Sequence, residues 1–455
     1  MRLHRILQDV GASVPLGLLV AGFAFAADTT PADPLAAAGA KPAEAGAENW
    51  NWHAQSTTIA QGDPGFPAAY SGPNSLAHDG QTRETVSLDL YAGVHVWEGG
   101  EAFFDGLMWQ GFGLGDTRGV ESFPNGEAFR LGTRYPDAII ARLFLRQTIN
   151  LGGNPETVHD DLLELAGRRD ASRLVFTLGK LSAKDIFDNN AYANDPRTQF
   201  MSWGLMANQA WDYPADSLGY VTGLAAEAIG PAWSVRYGFF QVPRASNGMS
   251  LDPHYCKACG MVTEFERRYS LDGHPGTARL LAYRNRADMG SYQAALDNPA
   301  RPADIVATRS YRYKSGWGLS IEQEVSANFG LFSRLGWNDG RNEAWMFSDV
   351  DRTATLGASI KGAAWSRPDD TLGAAGVLNG LSALHQKFLA AGGTGILAGD
   401  GALSYGWEKL VEVYYDFPLM HDLHATIDCQ FVADPAYNWA RGPVSVFGAR
   451  LHWQR

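Results

Sequence analysis

The sequence predicts an all-β fold: a sixteen-stranded antiparallel transmembrane β-barrel with short periplasmic turns and long external loops. Segments of alternating apolar and polar residues recur along the chain, and the connections between them alternate in length. The composition agrees, with 45% hydrophobic and 19% charged residues, 51 glycines, 14 tryptophans and 17 tyrosines. Beyond the N-terminus no window holds the ~18 apolar residues of a transmembrane helix, which excludes a helical membrane protein.

The clearest alternation lies in residues 84–97, ETVSLDLYAGVHVW. Val86, Leu88 and Leu90 fall on one face of this predicted strand, while Asp89 and Tyr91 fall on the other. The same pattern predicts sixteen strands in all, an even number. They span residues 50–60, 84–97, 102–112, 138–150, 171–180, 218–228, 232–241, 260–269, 277–286, 311–325, 329–338, 353–362, 370–379, 408–417, 422–432 and 444–453.

The connections indicate what covers the apolar faces. Short turns such as EGG at 98–100 and DGHPG at 272–276 alternate with long segments such as 181–217 and 380–407. The segment 151–170 is the one exception, because it is long where a short turn is expected. A soluble sandwich has no reason to place its long loops at one end, whereas outer-membrane barrels do so. The loop lengths therefore predict that the apolar faces meet lipid.

The N-terminus predicts export. Residues 1–26 form an expected signal peptide, with Arg2 and Arg5 before an apolar stretch and an Ala24-Phe25-Ala26 cleavage pattern. A buried N-terminal helix is the alternative. Residues 27–49 are expected to form a disordered leader rich in Ala, Pro and Glu, and residues 50–455 the β-barrel. The net charge of −12 argues against a nucleic-acid partner.

The cysteines leave one question open. Cys256 and Cys259, in HYCKAC, could form a local disulfide after export. A zinc site would need a second pair of ligands, and only His254 lies nearby in the sequence. We therefore predict no metal site and no cofactor.

The polar strand faces supply the candidate lining of a water-filled lumen. Both signs of charge occur there, and a mixed lining offers hydrogen bonds to neutral solutes, whereas a ring of one sign makes an ion or phosphate pore. Ion pairing across the barrel wall is the alternative role for these charges. The strand candidates are Asp89, Tyr91, His95, Arg142, Arg146, Arg236, Glu264, Glu322 and Arg334.

The third long connection combines aromatic residues with polar and charged ones. Aromatic faces suit the C–H faces of sugars, while carboxylates, amides and guanidinium groups suit their hydroxyls. Such a loop could fold into the lumen and narrow it, or pack on itself outside the barrel. Its candidate pore-lining residues are Asp185, Asp188, Asn189, Arg197, Trp203 and Trp211.

Four runs carry a family resemblance: ARLFLRQTINLGG, GKLSAKDIFDNN, DPRTQFMSWGLMANQAWDYPAD and RGPVSVFGARL. They resemble the OprB-type carbohydrate-selective porins, and the similarity extends over roughly residues 50–453. The resemblance implies passive diffusion of monosaccharides such as glucose through an outer-membrane barrel narrowed by inward-folded loops. It also implies the outer membrane of a Gram-negative bacterium as the location.

Other functions stay open from the sequence alone. A general diffusion porin has the same fold, and a secreted lectin-like protein would need no detergent. We predict no enzyme, since neither GxSxG nor HExxH occurs. The expected partners are small neutral carbohydrates, outer-membrane lipid and the barrel-assembly machinery, which would read the strand at 444–453. Homo-oligomerisation is left open.

Overall fold

The computed structural model describes residues 47–128 and 132–455. The predicted signal peptide and nearly all of the predicted leader lie outside the described residues. Sixteen strands follow one another in this part of the chain. They are β1 Trp50–Asp63, β2 Gln81–Trp97, β3 Gly100–Gly111, β4 Thr133–Val158, β5 Gly167–Leu181, β6 Val221–Ile229, β7 Trp233–Phe240, β8 Cys259–Leu271, β9 His274–Met289, β10 Ser310–Ser326, β11 Phe329–Asn338, β12 Arg352–Lys361, β13 Thr371–Gly380, β14 Glu408–Met420, β15 Leu423–Ala433 and β16 Val444–Gln454.

The strands form one closed antiparallel barrel in which each strand pairs with its neighbours in the sequence. Closure is made by β1 against β16, with Thr57 opposite His452 and Ala60 opposite Ala449. A closed barrel leaves no unpaired strand edge, so every strand can satisfy its backbone groups without water. The predicted sixteen-stranded barrel, with its short periplasmic turns and long external loops, is confirmed.

The β4–β5 hairpin explains the exception in the predicted loop pattern. β4 continues to Val158 and β5 begins at Gly167, so a connection over 151–170 was the wrong boundary. Gly152 and Gly153 have positive φ angles, and the register between the two strands shifts beside them. These irregularities interrupt the alternation, which is why the sequence pattern loses the strand here. The remaining turn, 159–166, is called the β4–β5 turn below.

The two faces of the barrel are inverted relative to a soluble protein. On β2 the outward Leu90 and Val94 have exposed fractions of 52% and 45%, whereas the inward Asp89 is fully buried. β14 and β15 show the same division, with Val411 and Ile427 outside and Glu412 and Asp428 inside. Apolar side chains outside and polar ones inside require lipid around the barrel.

The helices of the described residues are short and lie in the connections. The α-helices are α1 Trp203–Met206, α2 Tyr292–Asp297 and α3 Ala383–Ala390. The 3₁₀-helices are Leu114–Asp116, Ala183–Asp185, Val306–Thr308, Gly362–Trp365 and Pro435–Tyr437. In the described part of the chain, none is long and apolar enough to cross a membrane.

Three external loops pack together over one side of the barrel mouth. Tyr292 of α2 stacks on His385 of α3 at 4.2 Å between ring centroids, and Tyr437 lies in the same buried cluster. Asp351 accepts a hydrogen bond from the backbone N–H of Ser382 at 2.8 Å and pairs with His385 at 3.1 Å. This buried cluster joins the loops after β9, β13 and β15 into one cap, and Asp351 attaches the loop after β11 to it.

The cysteines are unpaired. Cys256 is exposed, Cys259 is buried, and no disulfide joins them. Cys429 lies on the outward face of β15 among apolar residues, as the alternation predicts.

Candidate functional site

The connection between β5 and β6, residues 182–220 and called L3 below, folds into the barrel. Most of its residues are buried, although they belong to a connection of the external side. L3 is bonded to inward side chains from strands all around the barrel, which it could reach only from inside the lumen. The wall residues are Asp89 of β2, Glu264 of β8, Glu322 of β10, Arg334 of β11, Glu412 of β14 and Arg450 of β16. Of the two arrangements that the sequence left open, the inward one is found.

Wall carboxylates satisfy the backbone donors of L3. Glu412 accepts from the backbone N–H groups of Met201 and Ser202, at 2.5 and 3.0 Å. Glu264 accepts from the N–H of Asp188 at 2.8 Å, and Glu322 accepts from that of Ala191 at 2.7 Å. Unpaired backbone groups are costly inside a protein, so these glutamates hold the loop at fixed heights in the lumen.

Wall arginines satisfy the acceptors of L3. Arg334 is fully buried and donates to the carbonyl oxygens of Leu205 and Ala193, both at 2.8 Å. Its Nε also lies 3.2 Å from Asp188 Oδ1. Arg450 donates to the carbonyl oxygens of Pro196 and Gln199, both at 2.7 Å. One planar guanidinium can serve several acceptors, which suits it to fixing an irregular loop.

Asp188 joins the loop to itself and to the wall. Besides Arg334, it binds Lys184 Nζ at 3.3 Å and accepts from the backbone N–H of Asn208 at 2.7 Å. Although burial opposes it, the charges of Arg334 and Lys184 hold the pKa of Asp188 below its usual range. Burial lowers the pKa of Lys184 to about 8.

A cavity of about 550 Å³ remains beside L3 and forms the candidate channel. It extends from Leu163 and Glu164, in the β4–β5 turn, to Asn247, Phe347 and Leu397 in the external loops. Its wall comes from β1, β2 and β4 to β7, so the channel lies to one side of the lumen. The predicted site residues that border it are Tyr91, Arg142, Arg146, Asp185, Asn189, Arg197, Trp203 and Arg236.

The arginines around the cavity are paired with carboxylates. Arg142 donates to both carboxylate oxygens of Asp185, at 2.8 and 2.7 Å, and to Asp105 at 2.6 Å. Arg197 bridges Asp89 and Glu127, both at 2.8 Å. The other arginines that border the cavity also have carboxylate partners: Arg146 with Glu164, Arg169 with Glu164 and Glu101, Arg173 with Glu156, and Arg236 with Glu227, Glu264 and Glu266.

Aromatic rings form the external part of the cavity wall. The ring of Trp203 stacks on Phe123, with 5.1 Å between centroids and 11° between planes. Phe347 packs against both Trp203 and Tyr213, at 4.8 and 4.6 Å. Deeper along the wall, the guanidinium of Arg142 lies 5.2 Å from the ring centroid of Tyr220. Flat apolar surfaces therefore adjoin hydrogen-bonding groups along one path.

The β4–β5 turn borders the periplasmic end of the cavity. Asn51 of β1 donates to Asp160 at 2.7 Å, and His53 lies 3.0 Å from the same carboxylate. On the cavity side, Arg146 donates to the carbonyl oxygen of Leu163 at 3.0 Å. These bonds hold the turn beneath the lumen instead of away from it.

Comparison with known families identifies the barrel. The model of the carbohydrate-selective porin family OprB matches residues 73–454. The chain belongs to the OprB family. OprB-family porins are outer-membrane channels of Gram-negative bacteria, and the predicted resemblance is thereby confirmed.

The same fold occurs in a solved structure of low sequence identity. The OprB structure from Pseudomonas putida matches with a TM-score of 0.67 and 17% identity, covering 90% of this chain and 94% of that one. OccAB1 from Acinetobacter baumannii matches with a TM-score of 0.46 and 11% identity, covering 91% and 98%. No curated protein sequence matches the chain.

Seven predicted site residues of this OprB-family barrel lie away from the cavity. Asp89 lies behind Arg197, and Trp211 packs edge-on against Phe187. His95 is exposed near the periplasmic end of β2. The others hold L3 against the wall: Asp188, Glu264, Glu322 and Arg334. Alternation alone cannot separate a residue that meets water from one that meets the loop.

Several residues around the channel were not among the predicted site residues. They are Phe123, Glu127, Glu164, Arg169, Tyr220, Glu227 and Phe347. Glu227 lies directly opposite Arg236 in the β6–β7 pairing, so the register of that hairpin could have revealed it. Glu164 and Arg169 lie in the segment where the strand pattern is interrupted. Phe123 and Phe347 come from other long loops, whose paths the sequence does not specify.

We expect Arg334→Met to release part of L3. Removing the guanidinium takes one of its two cationic partners from Asp188 and leaves two buried carbonyl oxygens without their donor, which should cost about 3 kcal/mol of stability. Urea unfolding would measure that loss, and trypsin cleavage after Lys184 or Arg197 would report the loosened loop. Arg352→Met is the control, because Arg352 donates to the carbonyl oxygens of Asn338 and Asp351 instead of to L3. Equal effects in both variants would contradict the anchoring role.

We expect Arg142→Ala, and to a smaller degree Arg146→Ala, to raise single-channel conductance. Each change removes a side chain from the cavity wall, and the first also leaves Asp105 and Asp185 without a partner, which should shift selectivity towards cations. Planar-bilayer recordings with a salt gradient would give both quantities. The control is Arg267→Ala, since Arg267 is exposed on the outward face of β8. Unchanged conductance and reversal potential would remove both arginines from the lining.

Proposed function

We propose that this OprB-family porin allows small neutral sugars, monosaccharides such as glucose, to diffuse passively into the periplasm. The observation that carries the proposal is the pairing of charges around the cavity. Each arginine that borders the cavity has a carboxylate within 4.0 Å. Such a wall presents many hydrogen-bonding atoms to a solute, while the opposite charges largely cancel each other's electrostatic field.

A paired wall favours neutral solutes over ions. An ion in a narrow passage must exchange its hydration shell for protein groups, and rings of one charge sign provide that compensation for one class of ion. Here a mobile ion would compete with charges that already bind one another, such as Arg197 with Glu127. A neutral polyol needs only donors and acceptors, which both members of each pair supply.

The aromatic rings support a sugar over other neutral solutes. The C–H faces of a pyranose match flat apolar surfaces such as Trp203 and Tyr213. Its hydroxyls match the guanidinium and carboxylate groups of Arg142 and Asp185, which border the same cavity. A solute with one apolar face and a polar rim can therefore meet complementary groups along the whole path.

The membrane location depends on export, which we also propose. Residues 1–26 would direct the chain to the secretion machinery and be removed, and residues 27–49 would remain as a leader. The strand at 444–453 would be recognised by the barrel-assembly machinery, and outer-membrane lipid would surround the apolar belt.

The uptake test compares solutes of similar size. In liposomes containing the mature chain, glucose should enter faster than gluconate, glucosamine or an amino acid, because only the charged solutes disturb the paired wall. Swelling rates measured against protein-free liposomes would check this. Equal rates for sugar and amino acid would favour a general diffusion porin, and no glucose entry above the protein-free rate would reject a sugar channel.

The processing test concerns the N-terminus. We expect the chain purified from outer membranes to begin at Ala27, because the small residues Ala24 and Ala26 precede that bond. N-terminal sequencing or intact-mass measurement would show it. A retained Met1 would contradict the predicted signal peptide.

A further inference from the structure

Two arginines interrupt the lipid-facing side of β9. On this strand Tyr283 and Asn285 point into the lumen, where they donate to the backbone carbonyl oxygens of Ala210 and Asp212. Arg284 and Arg286 alternate with them and therefore point outward. Arg284 is exposed and Arg286 is partly exposed. They account for the poor sequence alternation of this strand.

Aromatic rings of β10 support both guanidinium groups. Arg284 lies 3.9 Å from the ring centroid of Tyr313. Arg286 lies 5.3 Å from the same ring and 6.0 Å from that of Tyr311. A planar guanidinium held over an aromatic face loses little freedom when it binds a ligand.

The arginines carry charge without a bound acid. Within the described residues, Arg284 has no hydrogen-bond or ion-pair partner, and Arg286 donates only to the carbonyl oxygen of Cys256, at 3.1 Å. The nearby carboxylates are Asp288, on the same strand face, and Asp252, which is bonded to His254 and Tyr311. The contrast with the lumen is clear, because each arginine at the cavity is paired.

Their depth corresponds to the lipid headgroups of the outer leaflet. Arg284 lies opposite Ser315, and two residues deeper Ala282 lies opposite the outward Trp317. Tryptophan and tyrosine mark the membrane–water interface. Towards the external side, the pairing of β9 with β8 ends at Arg286, which lies opposite Cys259, the first residue of β8. An outward arginine is much less costly at this level than at the midplane of the bilayer.

We propose that Arg284 and Arg286, backed by Tyr311 and Tyr313, bind a phosphate group of a phosphorylated lipid in the outer leaflet. Arginine forks match phosphate oxygens, and the rings orient both forks towards the headgroup layer. The occupant is a membrane lipid, because the arginines lie on the lipid-facing side of the barrel and just outside the aromatic level. The inference requires the barrel in its membrane but not the sugar selectivity.

The test uses the purified full barrel in detergent, titrated with bisphosphorylated lipid A and followed by native mass spectrometry. The variant R284Q/R286Q removes both charges and keeps side-chain length. R267Q is the matched control, because Arg267 is an exposed outward arginine at the periplasmic end of β8. Two charge-assisted contacts predict at least about tenfold weaker lipid binding in the double variant and no change in the control. Gel mobility without heating would verify that each variant is folded.

Any of three lipid-binding results would overturn the proposal. They are equal lipid binding by the double variant and the wild type, an equal loss in R267Q, and binding of dephosphorylated lipid A as tight as that of the parent lipid. Loss of a dimer instead of a lipid adduct would assign the face to a second copy of the chain and reject the lipid. Glucose entry should be the same in all three proteins, so failure here is separate from failure of the sugar-channel proposal.

Discussion

The arrangement depends on one constraint: a long irregular loop inside a barrel must find partners for its backbone. L3 cannot pair as a strand, and much of it has no access to water. The wall resolves this with charged side chains, where Glu412 accepts from two N–H groups and Arg334 donates to two carbonyl oxygens. Side chains that the alternation identifies only as polar therefore supply the hydrogen bonds that a strand would form with its neighbours. Without them the loop would lose its fixed path.

The position of the channel follows from where those anchors lie. Most come from β8, β10, β11, β14 and β16, so L3 lies against that side and the open space remains against β1, β2 and β4 to β7. On the open side the wall charges do not bind the L3 backbone. They pair with one another or with side chains at the edge of L3, as Arg142 does with Asp105 and Asp185. The same residue types thus serve as anchors on one side and as lining on the other.

This division explains how much of the protein the sequence could predict. The period-two alternation, the alternating loop lengths and the even number of strands can be counted directly along the sequence. They predicted the barrel and its two faces. The direction of L3 could not be decided, because it depends on contacts such as Arg197 with Asp89, more than a hundred positions apart. The site prediction identified the lumen face but could not separate Arg142, at the cavity, from Arg334, beneath the loop. Distinguishing these two arginines requires the path that L3 takes through the lumen.

The outward arginines of β9 follow the same electrostatic reasoning from the opposite side of the wall. In the lumen a carboxylate reaches every arginine that borders the cavity, because a low-dielectric interior penalises an unpaired charge. Outside, Arg284 has aromatic support but no acid partner within the described residues. Its height near Trp317 reduces the cost of that charge, yet does not account for two adjacent cations stacked on two tyrosines. A partner supplied by the membrane completes the pairing that the chain provides for its lumen arginines.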